Sequence, residues 1–283
     1  MTKGPVAPAS LETLREEIDG IDSEIHRLIQ RRAEIVETLG EIKKAQGGGN
    51  AMRPGREAQI LRRLAKAHKG GFPLAALFGV WRTMMTAFLR MQHPIEVRVA
   101  TLSNNLGDSL NIWDAARIHF GAETPMQATT TAEALKAAAG SDRILAALPA
   151  PSTNNDWWLN LDQQGLKVLA LLPFFDYASP SEAVFIVAPA DPEPSGDDTS
   201  WLRLEGRAED LDRTIAEART KAGLELSLVA AYNPADRDSR EQRLIAVDGY
   251  LAPSEDAFGK LQSLAMSHDV PVQYVGCFAR PLK

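Results

Sequence analysis

The chain predicts an α segment followed by α/β structure: an all-helical N-terminal stretch, a shortened α/β segment, and a small domain of helices on an antiparallel sheet. Apolar residues recur at alternating steps of four and three from Leu14 to Ile42, a helical seam. Runs with strand character appear only after His93-Pro94. The last part, from Trp201 on, reads β-α-β-β-α-β, the order of a small helix-on-sheet sandwich.

With 283 residues, 45% apolar and 24% charged, the composition suits a soluble globular chain of about two domains. A formal charge of -6 and a pI near 5.5 argue against nucleic acid or an anionic membrane as the main partner. Cys277 is the only cysteine, which excludes a disulfide framework or thiolate cluster within one chain. His26, His68, His93, His119 and His268 show no ligand spacing, so no metal is expected. Met1 to Ser10 lacks an apolar core of signal length, and no stretch approaches the ~20 apolar residues of a membrane helix. The expected location is cytoplasmic.

Ser10 suits an N-cap for a helix starting at Leu11 and running without proline to Gln46, where Gly47, Gly48 and Gly49 stop it. Some 36 residues extend roughly 54 Å, and an apolar stripe of that length needs cover that short following helices cannot fully supply. A second chain is the expected cover, so the seam predicts a homodimer. Pro54 opens a second helix carrying Ile60, Leu61, Leu64 and Ala67, ended by Gly70-Gly71. Pro73 opens a third, with the stripe Leu77, Trp81, Met84 or Met85, Phe88, and then Gln92 where an apolar residue is expected. Strands follow at Val97 to Leu102, Arg143 to Leu148, Leu166 to Leu172 and Phe185 to Ala188, with helices over Asp108 to Phe120 and Thr131 to Ala139. Pro189 to Thr199 reads as a linker rich in Pro, Asp and Gly. Beyond it come strands near Trp201 to Leu204, Leu224 to Ala231, Arg243 to Tyr250 and Val272 to Phe278, and helices over Ala208 to Lys221 and Ser254 to Met266.

Within the first seam the one slot filled by a charge is Arg32. A guanidinium cannot discard its proton, so a chain that withdraws it from water has reason to hold an anion there. Lys43 lies 11 residues on, about three turns, and points to nearly the same side. Arg15 lies roughly 25 Å from Arg32 along the same helix and reaches such a cavity only from a partner chain in antiparallel array. Arg56-Glu57 opens the second helix, and Gln92 is the polar break in the third. Cations, one carboxylate and one amide suit a small dicarboxylate bearing a hydroxyl. Taken singly, Arg15, Lys43, Arg56 and Glu57 also fit solvated helix charges, and a buried polar residue such as Arg32 or Gln92 can fix helix register without chemistry.

The ordered strings Leu14-Arg15-Glu16-Glu17-Ile18-Asp19, Ile29-Gln30-Arg31-Arg32, Gly40-Glu41-Ile42-Lys43, Arg53-Pro54-Gly55-Arg56-Glu57 and Met85 to Gln92 resemble the all-helical chorismate mutases over about Leu11 to Gln92. The resemblance implies an intertwined dimer in which the partner's Arg15, with Arg32 and nearby Arg56, holds the substrate carboxylates. It further implies that Lys43 and Gln92 hydrogen-bond the ether oxygen and that Glu57 accepts from the ring hydroxyl. The implied reaction is the cofactor-free rearrangement of chorismate to prephenate. Arg53 and Phe88 depart from residues found in some members, an aspartate and a serine.

In bifunctional enzymes of phenylalanine biosynthesis such a domain precedes a prephenate dehydratase domain and an ACT domain, and the remainder here resembles a shortened version. Ser103-Asn104-Asn105-Leu106-Gly107-Asp108-Ser109 stands for the Gly-Pro-x-Gly-Thr-Phe-Ser turn, Pro149-Ala150-Pro151-Ser152-Thr153 for Pro-x-Glu-Asn-Ser, and Ala183-Val184-Phe185 for the catalytic Thr-Arg-Phe. Dehydration needs an acid to expel hydroxide, which Ala183 and Val184 cannot supply. The ending Val272 to Pro281 resembles the last ACT strand, while Ala208-Glu209-Asp210-Leu211 and Ala231-Tyr232-Asn233-Pro234 depart from the effector-binding motifs. The expected divisions are residues 9–93, a mutase domain; 96–190, a truncated dehydratase-like segment; and 199–283, an ACT-like domain. The expected function is a chorismate mutase whose C-terminal region lacks dehydratase activity, its tail serving either to stabilise the dimer or to bind a pathway-enzyme partner or an amino-acid effector. Its competitors are a non-catalytic metabolite-sensing or docking protein, and a bifunctional mutase/dehydratase.

Overall fold

The structure is a computed structural model and describes residues 10–45, 52–102, 106–152, 155–175, 182–234 and 240–282. The chain forms two compact units, residues 1–49 and residues 50–283. Gly47 to Gly49, Ser103 to Asn105 and Thr153, which figured in the sequence argument, lie outside the described residues.

The described part of the first unit is one helix, α1 (Leu11–Ala45). Ser10 caps it as expected, its hydroxyl accepting from the Thr13 amide at 3.1 Å. Leu14, Ile18, Ile21, Ile25, Leu28, Ile35, Leu39 and Ile42 are between 44% and 56% exposed. Among the described residues the seam is thus about half exposed.

The second unit begins with α2 (Pro54–Ala67) and α3 (Leu74–Gln92). Pro54 occupies the first turn of α2, and Pro73 is the N-cap of α3. Nine strands then alternate with helices: β1 (Glu96–Ala100), α4 (Leu106–Phe120), β2 (Met126–Thr129), α5 (Thr131–Ala139), β3 (Ile144–Pro149), β4 (Lys167–Leu172), β5 (Val184–Ala188), β6 (Asp198–Gly206), α6 (Ala208–Lys221), β7 (Leu226–Tyr232), β8 (Glu241–Asp248), α7 (Asp256–Met266) and β9 (Val272–Ala279). Thr130 and Glu133 start α5 with a reciprocal capping box.

All nine strands form one sheet, ordered β2-β1-β3-β5-β4-β9-β6-β8-β7. β1 lies parallel between β2 and β3, while β5 runs antiparallel to β3 and β4. The last four strands form an antiparallel ladder, β9-β6-β8-β7. The two halves meet where β4 runs parallel to β9 at Val168 and Gly276. Gly276 has φ +150°, and a Cβ there would lie 2.3 Å from the Val168 carbonyl oxygen, so only glycine lets the backbones approach.

Strand alternation divides the core. Val97, Val99, Leu145 and Ala147 face α4 through Ile112, Ala116 and Phe120. Ala100, Ala146 and Leu148 face α5 and an aromatic cluster of Trp157, Phe185, Trp201 and Phe278. Leu202, Leu204, Ile245, Val247 and Tyr274 pack under α6 and α7. Cys277 lies in that last cluster, and burial pushes its thiol up to about 12.

Two expectations need correction. The stripe read for α3 is only partly the buried one: Leu77, Trp81 and Gln92 are half-buried, whereas Phe78, Arg82, Met85, Thr86, Phe88 and Leu89 are buried. α3 packs against both α2 and α4, so more than one of its faces is covered. The Pro189 to Thr199 stretch is an ordered strap rather than a plain linker. The Asp198 carboxylate accepts from the Ser195 and Gly196 amides at 2.9 and 3.1 Å, and Asp198 and Thr199 already belong to β6.

Helix α2 docks on this strap. A Cβ on Gly55 would meet the Glu193 carbonyl oxygen at 2.4 Å, Arg53 pairs with the Glu193 carboxylate at 2.9 Å, and Gln59 donates to the Pro194 carbonyl at 3.1 Å. Arg62 donates to Ser195 O and Oγ, Asp197 O and Arg280 O at 2.7 to 3.1 Å. Beneath, Ala58, Leu61, Phe78 and Met85 pack with Phe174 and Ala279.

Gly276→Ala is expected to destabilise the chain by about 2–4 kcal/mol, combining an unfavourable φ with overpacking at the sheet junction. Urea denaturation followed by Trp fluorescence measures it.

Candidate functional site

On α1 the residues withdrawn from solvent are Arg32, Ala33, Val36, Gly40 and Lys43. Their helical spacing places them on one face, with Arg32 and Lys43 about 16 Å apart along the axis. Burial lowers the Arg32 guanidinium below its ordinary value. The rest of the described helix, Arg15 included, is exposed. Glu24–Arg27 and Arg31–Glu34 are exposed ion pairs one turn apart, of the kind that contributes little. Arg32 and Lys43 lie on the same face of α1, and both are half-buried.

In the second unit, Arg56 is exposed and donates to Gln59 Oε1 at 3.3 Å. Glu57 is half-buried and accepts from Arg82 Nη1 at 2.5 Å. Gln92 donates from Nε2 to the Phe88 carbonyl at 3.2 Å, while its buried Oε1 has no hydrogen-bond partner. Glu57 and Gln92 are therefore held by different neighbours rather than by each other. Of the two departures, Arg53 pairs with Glu193, and Phe88 is buried.

Sequence reasoning missed Arg82. The residue is 9% exposed, and its guanidinium lies 5.7 Å from the centre of the Phe174 ring. Burial lowers its basicity, and the Glu57 carboxylate acts in the opposite sense. The signal was present: Phe78, Arg82, Met85 and Leu89 are spaced by four, three and four, the same pattern of a charge in an apolar stripe that singled out Arg32. His119 on α4 is also buried. Its imidazole is pushed well below 6.5 by burial and then by the Arg82 charge, so it is neutral.

A crevice of about 360 Å³ lies at the C-terminal ends of β1 and β3, where the chain order switches direction across the sheet. Asp108, Asn111, Ser152, Asn155 and Glu182 supply its polar lining, which holds no Lys, Arg or His among the described residues. Ala183 and Val184 are buried, Val184 paired between β3 and β4. In the C-terminal ladder an open cavity of about 1000 Å³ is bounded by Arg207, Asp210, Arg213, Asn233, Arg240 and Asp269.

Residues 14–93 match the family described as Chorismate mutase type II. Over 83 residues, 29% of this chain and 22% of that protein, the chain is 36% identical to a bifunctional chorismate mutase/prephenate dehydratase of Neisseria gonorrhoeae. It is 39% identical over 67 residues to an intracellular chorismate mutase of Mycobacterium tuberculosis, covering 24% of this chain and 63% of that protein. The chain therefore spans less than two thirds of the length of either relative. A solved prephenate dehydratase from Streptococcus mutans overlays with a TM-score of 0.46 at 11% identity, over 66% of this chain and 100% of that one. Among the described residues no helix is long and apolar enough to cross a membrane.

Neutral His119 binds no proton in the folded state, whereas the unfolded imidazole takes one up below 6.5. Stability is therefore expected to fall with pH below that value, by up to about 1.4 kcal/mol per unit from this group. His119→Leu should flatten that dependence in denaturation curves taken across the range.

Proposed function

We propose that this chain is a homodimeric, cytoplasmic chorismate mutase that converts chorismate to prephenate without a cofactor. The observation that carries the reading is the mutase-family match over residues 14–93, together with the withdrawal of Arg32 and Lys43 onto one protected face of α1. The reaction is intramolecular, so the protein has two physical tasks. It selects the compact diaxial conformer of the substrate, and it meets the charge that develops on the ether oxygen as the C–O bond breaks. In this reading Arg32, Arg56 and the second chain's copy of Arg15 hold the two carboxylates. Lys43 and Gln92 donate to the ether oxygen, and Glu57 accepts from the ring hydroxyl. The exposed α1 seam supports a second copy as its cover, because an apolar stripe of that length in water is costly.

For the remainder of the chain we infer that dehydration is absent. Buried Ala183 and Val184 offer no proton, and among the described residues the crevice lining presents the Glu182 carboxylate and no Lys, Arg or His to hold a dianion. The C-terminal cavity carries both signs of charge, from Arg207, Arg213 and Asp210, which suits a zwitterionic amino-acid effector. The bifunctional relatives favour a second reading, in which the chain also forms phenylpyruvate.

Incubating the purified protein with chorismate tests both. Prephenate alone supports the proposal, phenylpyruvate supports the bifunctional reading, and no turnover supports a binding protein. Repeating the assay with phenylalanine or tyrosine tests the effector. Lys43→Ala is expected to lower kcat by about 10²–10³-fold with a smaller change in KM, since the ammonium gains most from the transition-state oxygen. Sedimentation should give a dimer that Leu28→Glu dissociates, by placing a charge in the seam.

A further inference from the structure

The Glu57–Arg82 pair joins a residue of the proposed site to one that neither seam nor resemblance assigned. We propose that Arg82 is a positioning residue for Glu57: it clamps one carboxylate oxygen so that the other is presented as a fixed acceptor for a substrate hydroxyl. This rests on the mutase reading above.

Arg82 Nη1 reaches Glu57 Oε2, and among the described residues this is the only hydrogen bond that the Arg82 side chain makes. Glu57 Oε1 takes no hydrogen bond among them. The carboxylate is therefore half engaged. An unpaired glutamate on a helix samples many rotamers and must lose that freedom when substrate binds, whereas this one is held beforehand.

The clamp is itself held. The guanidinium lies over the Phe174 ring, and the same ring carries the Arg62 guanidinium at 5.6 Å. Neutral His119 adds no competing charge beside Arg82. Such a support needs a planar, permanently charged fork, for which lysine is a poor substitute. Because Glu57 accepts from the same hydroxyl before and during the rearrangement, the clamp serves uniform binding and shows in KM rather than in kcat.

The experiment measures kcat and KM for chorismate with the full chain as wild type, R82M, R82K, E57Q, E57Q/R82M and E57Q/R82K, with melting curves alongside. R82M should raise KM about tenfold with kcat within about threefold, and R82K should recover part of that loss. In the E57Q background R82M should leave KM unchanged, because the group it positions is gone. Equal KM increases in both backgrounds, or a lowered melting temperature with unchanged kinetics, would assign Arg82 a structural role only and overturn the proposal. If R82M does not fold, R82K decides: a KM increase confined to the Glu57 background supports the clamp, and one present in both removes it. A wild-type protein without turnover sinks the mutase reading and this role with it. An active wild type matched by R82M sinks the positioning role alone.

Discussion

Arg62 ties helix α2 to the opposite end of the chain. One guanidinium meets four oxygens, from Ser195, Asp197 and Arg280, and so fixes α2 against the strap and the exit of β9. Gly55 makes the approach sterically feasible, and the Asp198 carboxylate keeps the strap in shape to receive the helix. Glu57, five residues before Arg62 on the same helix, is thereby located by residues more than a hundred positions away. The sheet region is the mould in which helices α2 and α3 set.

Three arginines show how far burial alone fails to define a role. Arg62 spends its donors on backbone and hydroxyl oxygens, which is the behaviour of a structural tie. Arg82 is more deeply buried yet donates one hydrogen bond, to a carboxylate that keeps an oxygen open. Arg32 is half withdrawn on a helix otherwise left to solvent, and the helical face it occupies with Lys43 is the only protected one in the described first unit. What separates them is the accounting of donors against acceptors, the quantity that carries function for a group that cannot lose its proton.

Much of this was legible in the sequence. Ser10, Pro54 and Pro73 announce the three helices because caps and fixed φ angles act locally. The βαββαβ order at the end is equally readable, since each of its elements keeps its own apolar period. Met126–Thr129 was not, being a short edge strand with no buried residue to impose alternation. The continuity of the sheet was hidden too: it turns on Val168 meeting Gly276, a pairing across more than a hundred residues with no local mark beyond one glycine. Of the candidate site, the charges on α1 could be read from their place in an apolar series. Arg82 carried the same mark, a charge in the stripe of Phe78, Met85 and Leu89, but its pairing with Glu57 could not be read, because that depends on how α2 and α3 pack.

Cys277 lies deep under the C-terminal helices, with its thiol held protonated well into alkaline conditions. The single sulfhydryl of the chain is therefore chemically silent in the folded state. Any cysteine introduced elsewhere becomes a unique attachment point for a spin label or fluorophore without first stripping the native one. A probe placed along α1 would then report directly, on the intact protein, whether a second copy of that helix lies beside it.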